Sequence, residues 1–188
     1  MKSYIENFKK YRFLLWELVK KGVKLKYRRS YLGILWTLLE PLMTMIVLSV
    51  VFGTLFGNKD PHFPVYILCG RLMYSFFSSA TNGAMKAIRT NAGMIKKVYV
   101  PKYIYPVTKV LSASINMVLS MVPLLLVTIF YGLFNGLYIR WSILLLPLAL
   151  IFVISFAVGM GFLLSSLMVF FHDVEFLWGV ISTMWMYA

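Results

Sequence analysis

Acidic side chains are scarce in this sequence: six Asp and Glu stand against nineteen Lys and Arg in 188 residues, a net charge of +13. Carboxylates this few, scattered through flanks and turns, do not assemble a credible catalytic triad or acid–base pair. Histidine is nearly missing, with His62 and His172 in separate breaks of the chain. Cys69 is the single cysteine, which excludes an intrachain disulfide framework. The His, Cys and carboxylate positions show no ligand spacing, so no metal constellation can be drawn. No Gly-x4-Gly-Lys-Ser/Thr run occurs, so the chain carries no P-loop, and any nucleotide hydrolysis belongs to another subunit.

Charged residues make up 13% of the chain, about half the share in a soluble domain. Apolar residues make up 61%, against roughly 45–50% in such a domain. A chain of this size cannot hide that much apolar surface in a water-soluble core. The excess rules out disorder as well. An integral membrane protein remains, with lipid as the solvent for the surplus.

The placement of the cations argues against nucleic acid as the partner. Ten of the nineteen lie in residues 1–30 and six more between Lys86 and Lys109, leaving only Lys59, Arg71 and Arg140. Clustering of this kind is positive-inside patterning and sets orientation. It predicts residues 1–30, 88–108 and 172–175 in the cytoplasm, with 58–62 and 135–140 outside.

Between the clusters run apolar stretches, and a helix needs about 20 residues to cross the hydrocarbon. Span one is read over Leu32–Gly57 and span two over Phe63–Ala87, interrupted by Arg71. Val110–Ile139 is uncharged and holds span three with a loop near Asn135 and Gly136. Trp141–Phe171 is span four, closed by His172, Asp173, Val174 and Glu175. Phe176–Ala188 is apolar but only thirteen residues long, so it reads as an unfinished fifth span of a longer protein. The expected fold is all-α and membrane-integral, with four complete spans and the start of a fifth.

The first thirty residues predict an amphipathic interfacial helix. Phe8, Tyr11, Leu15, Leu18, Gly22 and Leu25 recur at three-then-four spacing. Lys9, Lys10, Lys20, Lys21 and Lys24 fall on the other side, toward anionic headgroups. At the junction into span one, Gly33 allows a bend and Trp36 suits interface depth. Pro41 leaves a carbonyl unpaired inside the membrane, which is tolerated where a neighbour or cavity accepts it. A plain topogenic anchor would show much of the same pattern.

Three strings carry a resemblance. Tyr27-Arg28-x-Ser30-x-Leu32-Gly33-x-x-Trp36, followed by Pro41-Leu42, resembles the start of the ABC-2 type export permeases of the polysaccharide and teichoic-acid group. Asn91 through Pro101 is similar to that family's cytoplasmic loop between spans two and three. Phe171-His172-Asp173-Val174 resembles the segment after span four, with His172 where the family usually has Arg. The stretch Tyr74–Phe77 also fits, with Tyr74 where Trp is common.

The resemblance implies six spans in the full protein, a homodimer, and two cytoplasmic ABC ATPase subunits that bind the ATP and Mg. No cofactor is implied for this chain. It implies a gate helix over 1–30 and a transmembrane domain over 31–188 with a coupling loop at 89–105. Tyr27, Arg28, Arg29, Ser30, Leu32, Gly33, Trp36 and Pro41 then form the gate and lateral portal. Asn91, Met94, Ile95, Lys96, Lys97, Val98, Tyr99 and Pro101 then form the ATPase-coupling segment. The cargo implied is a lipid-linked glycan polymer such as O-antigen, capsule or teichoic acid, crossing a bacterial cytoplasmic (inner) membrane.

The residues themselves add candidates. Asn91 to Pro101 reads as a short helix capped by Asn91 and ended near Pro101. Arg28 suits a lipid pyrophosphate through bidentate bonds. Arg71 would cost about 2.5–3.5 kcal/mol at the bilayer centre, so outward snorkelling is preferred to a channel-facing role. Glu40 either pairs with a basic residue of the gate or lines the polymer entrance. Ser75, Ser79 and Gly83, the pair Ser155 and Gly159, and the pair Ala157 and Gly161 read as close-packing stripes within one subunit. An ABC-2 exporter of small molecules or lipids, a membrane-embedded glycan-modifying enzyme and a non-transporting anchor are the competing functions.

Overall fold

A computed structural model describes residues 11–27, 33, 35–55, 63–97, 100–135 and 145–187. Every regular element among them is helical: α1 (Arg12–Tyr27), α2 (Leu35–Leu55), α3 (Phe63–Thr90), α4 (Ala92–Ile95), α5 (Ile104–Asn135), α6 (Leu146–Phe170) and α7 (Val174–Tyr187). Three helices are long and apolar enough to cross a membrane: Leu35–Thr54, Ile104–Phe130 and Leu146–Phe170. α3 is longer than α2 or α6, about 42 Å at 1.5 Å per residue, yet falls short of their apolarity. The expected second span, interrupted by Arg71, is thus present as a long helix more polar than the other three. The physical reason is position. α3 contacts α2, α5, α6 and α7, so much of its surface meets protein instead of lipid.

Contact pairs fix the relative directions. Phe52 of α2 meets Phe63 of α3 edge-on at 5.6 Å, and Met45 clusters with Leu68 and Leu72, so α2 and α3 are antiparallel. On α7, Glu175, Ser182 and Met186 meet Lys86, Tyr74 and Arg71 in turn, so α7 also runs opposite to α3. α6 runs with α3, as Phe156 stacks on Phe77 and Gly161 packs on Ala84. Lys86 and Glu175 therefore share one end of the bundle with α4 and the start of α5. This end also holds Arg89, Lys96, Lys97, Lys102 and Lys109, and is here termed the basic end.

Three apolar clusters stack along α3. Leu68 and Leu72 pack with Met45, Leu124 and Val127. Phe76, Phe77, Ala80, Ala84 and Met85 pack with Val110, Met117, Ala157, Leu164 and Trp178. Ala87 closes the basic end with Leu15, Val19, Val100, Ile104 and Tyr105. Outside these clusters, α5 to α7 present exposed Leu126, Ile129, Ile151, Phe152, Leu163 and Phe176. A lipid-solvated helix is expected to show such a face.

The small-residue stripes divide. Ala157 is buried, and a Cβ on Gly161 would lie 2.8 Å from the Cβ of Ala84, so this stripe brings two helix backbones close together. Ser155 is exposed and Gly159 has open space around it, so that pair faces away from the bundle. Ser75 and Ser79 are exposed as well and line polar cavities, a correction to their reading as packing residues.

Span boundaries shift modestly. α3 continues through Lys86 and Arg89 to Thr90, because backbone hydrogen bonding does not stop at a charge that finds a partner, and Lys86 has one in Glu175. α5 begins at Ile104, inside the expected coupling loop, six residues before the uncharged run.

Candidate functional site

The basic end is assembled from α1, α4 and the start of α5. On α1 the buried stripe is Tyr11, Leu14, Leu15, Leu18 and Val19, which packs with Ile104 and Tyr105. That spacing is one helical face. Leu25 departs from the expected stripe and is 55% exposed. Gly22 is required by closeness: a Cβ there would meet Ser112 Oγ at 2.6 Å. Phe8, Lys9 and Lys10 lie outside the described residues.

The coupling segment differs from expectation. Its helix is the single turn Ala92–Ile95, not a rod from Asn91 to Pro101. Asn91 does not cap that turn with its side chain. Its Nδ2 instead donates to the Ala87 carbonyl at 2.8 Å and closes the end of α3. A short helix is marginal in water, and Gly93 costs roughly another 1 kcal/mol of propensity. Met94 and Ile95 pack inward on the α1/α5 cluster, so their apolarity serves the bundle itself. Ala92, Gly93, Lys96 and Lys97 are the exposed positions, and Pro101 is half-buried. Val98 and Tyr99 lie outside the described residues.

At the portal, Gly33 has φ 46°, a left-handed conformation that L side chains avoid. Trp36 N donates to the Gly33 carbonyl at 3.4 Å and is half exposed. α2 continues through Pro41. Arg28, Arg29, Ser30 and Leu32 lie outside the described residues, and Tyr27 closes α1.

A second constellation lies along the junction of α2, α3 and α5, where Glu40, Ser75 and Ser79 are exposed. Glu40 and Arg71 line one cavity of about 70 Å³ with Thr37, Thr44, Ser75 and Ser120. A second cavity of about 60 Å³ shares Ser75 and Ser120 and adds Ser79 and Asn116. Each is sized for about two waters, so the two form a narrow polar seam between α2, α3 and α5. Arg71 faces this seam as well as Met186, whose Sδ accepts from Nη1 at 3.5 Å. Simple outward snorkelling is thereby corrected: Arg71 is level with the middle of α2. Among the described residues Glu40 and Arg71 make no ion pair, the two present being Lys20–Glu17 and Lys86–Glu175. Asn116 and Ser120 were not anticipated. Ser112, Asn116 and Ser120 recur every fourth residue in an otherwise apolar span, and that spacing was the available signal.

The residues 14–188 match the family model described as ABC-2 type transporter. The chain is 30% identical over 184 residues to the O-antigen export system permease protein RfbA of Myxococcus xanthus, covering 98% of this chain and 69% of that protein. It is 28% identical over 163 residues to a protein of the same name from Klebsiella pneumoniae, covering 86% of this chain and 61% of the relative. A shorter match, 32% over 79 residues, links it to the polysialic acid transport protein KpsM of Escherichia coli, with 41% and 31% covered. With the family match running through all the helices, the chain belongs to the ABC-2 type transporter family, as an all-helical integral membrane protein.

Proposed function

We propose that this chain is the membrane permease subunit of an ABC exporter that moves a lipid-linked polysaccharide or teichoic-acid-like polymer out of the cytoplasm. The basic end faces the cytoplasm, as the charge asymmetry requires. Two copies pair, and two separate ATPase subunits bind ATP and Mg and dock beneath them. The chain performs no chemistry of its own and holds no cofactor. Arg28 and its neighbours at the portal receive the lipid-linked phosphate end of the cargo. Glu40 and Arg71 mark the seam along which polar cargo groups pass once the helices part.

One observation carries this reading. The turn at 91–97, α1 and the start of α5 share a single apolar cluster, with Lys96 and Lys97 exposed at its corner. A push on that corner reaches α1 and α5 together, because packed elements shift as units. Polymer is favoured over small-molecule cargo by the names of the relatives, which concern O-antigen and polysialic acid.

The test is to purify the full-length protein in lipid with the ATPase encoded beside it, then measure ATP hydrolysis with wild-type and Lys96→Glu/Lys97→Glu permease. Loss of assembly or of stimulated hydrolysis supports the proposal. A reversed corner that changes neither removes the coupling role.

A further inference from the structure

Between α1, the end of α3 and the first turns of α5 lies a cleft of about 250 Å³. Two ammonium groups line it, Lys21 from α1 and Lys109 from α5, and no Asp or Glu does. Two nearby carboxylates are already engaged, Glu17 by Lys20 at 3.1 Å and Glu175 by Lys86, and the exposed Asp173 does not line the cleft. Tyr105 also lines the cleft. It is 1% exposed, and its hydroxyl is buried with no hydrogen-bond partner. A buried hydroxyl without a partner is costly to fold around. The stem of Lys109 lies along Gly83, where a Cβ would meet its own Cβ at 3.6 Å, so α3 helps to place this ammonium. Thr90, Asn91 and Thr108 add polar groups to the wall, while Leu18 and Leu25 give it an apolar side on α1, and Leu25 opens to the outside.

We infer that this cleft binds the phosphate of an anionic membrane lipid, with Lys21, Lys109 and the Tyr105 hydroxyl as donors. Charge-assisted bonds from two ammonium groups suit a phosphate, which accepts several at once. Leu18 and Leu25 extend the site with hydrocarbon, which a soluble anion leaves unused and an acyl chain covers. The site is separate from Arg28 and the portal strings, and it needs only that the basic end meets the membrane surface. A lipid seated there ties α1 to α3 and α5 and so sets how readily α1 moves.

The test uses the full-length protein exchanged from phosphatidylglycerol nanodiscs into detergent, with retained lipid read by native mass spectrometry. Lys21→Ala/Lys109→Ala should retain less phosphatidylglycerol by about a hundredfold, the order of two lost charge-assisted bonds at about tenfold each. Arg12→Ala/Lys102→Ala removes equal charge from exposed positions outside the cleft and should retain it as the wild type does. Diacylglycerol, which lacks the phosphate, should not be retained. Tyr105→Phe should weaken retention while raising the melting temperature of delipidated protein, an opposite pair of signs that a merely structural tyrosine would not give.

Equal losses in both double variants would reduce the effect to general charge and overturn the site. Displacement of the lipid by millimolar inorganic phosphate would reassign the same donors to a soluble phosphate ester and overturn the lipid assignment. If the cleft variants lose ATPase binding while lipid is unchanged, the cleft docks a protein and the inference fails. Failure of the exporter reading at Lys96 and Lys97 would leave all these outcomes readable.

Discussion

Lys86 Nζ lies 2.5 Å from Glu175 Oε1, joining the basic end of α3 to the first turn of α7. Both side chains are partly exposed, and pairs of this kind contribute about 0–1 kcal/mol to stability. Its importance lies in what it connects, since α3 leads directly into the turn at 91–97. Lys86→Glu should therefore lower ATPase-coupled export several-fold while shifting the melting temperature little. Lys86→Glu/Glu175→Lys should recover most of that export. An exchange that recovers nothing would show the pair to be incidental.

The contact between Gly161 and Ala84 gives a packing prediction. A methyl on Gly161 has nowhere to go, since Ala84 Cβ is fixed to its own backbone. Gly161→Ala should cost about 1–3 kcal/mol by overpacking, read as a lower melting temperature in detergent. Ala84→Gly in the same chain should restore most of the loss. Gly159→Ala, with open space around it, should be neutral or slightly stabilising.

Docking of α1 rests on Gly22 against Ser112, whose Oγ donates to Thr108 O at 2.7 Å and lies 3.4 Å from Val19 O. Gly22→Ala should raise backbone hydrogen exchange across residues 12–25 without unfolding α5 or α6. Ser112→Ala removes the Oγ contact but keeps a Cβ 3.2 Å away, so it should return part of the protection. If exchange in α1 is unchanged by Gly22→Ala, the helix is held elsewhere.

Arg71 and Glu40 predict opposite signs for stability and transport. Arg71→Leu removes a charge that costs about 2.5–3.5 kcal/mol at mid-bilayer on insertion scales. Stability in detergent should rise while polymer export in cells falls. Glu40→Gln keeps shape and should reduce export less than Arg71→Leu does. A rise in both stability and export after Arg71→Leu would exclude Arg71 from the polar seam's function.

The sequence announced much of this architecture. The apolar runs gave α2, α3, α6 and α7 to within a few residues and α5 less closely, and Gly33 marked the turn before α2. The ion pair of Lys86 and Glu175 places together two segments that the charge pattern had assigned to one side. The choice of faces was less legible. Lipid and protein interior are both apolar, so hydrophobic periodicity does not say which side of a membrane helix meets protein. That is why Ser75 and Ser79 read as packing residues when they line the seam, and why the inward packing of Met94 and Ile95 on α1 and α5 was not legible. The short α4 was overestimated because a polar start and a later proline mark boundaries without saying whether the interval can sustain a helix.

α3 has a consequence for how the chain is made. The machinery that inserts membrane helices tests each segment for apolarity as it emerges, and α3 carries Arg71, Asn82 and Lys86. Alone it would enter lipid poorly, because Arg71 and Lys86 find part of their protein surroundings in α5 and α7, which are synthesised afterwards. Insertion of α3 is therefore expected to wait for helices not yet translated. Chains halted before α5 should leave α3 exposed to quality-control proteases, whereas chains halted after α7 should not.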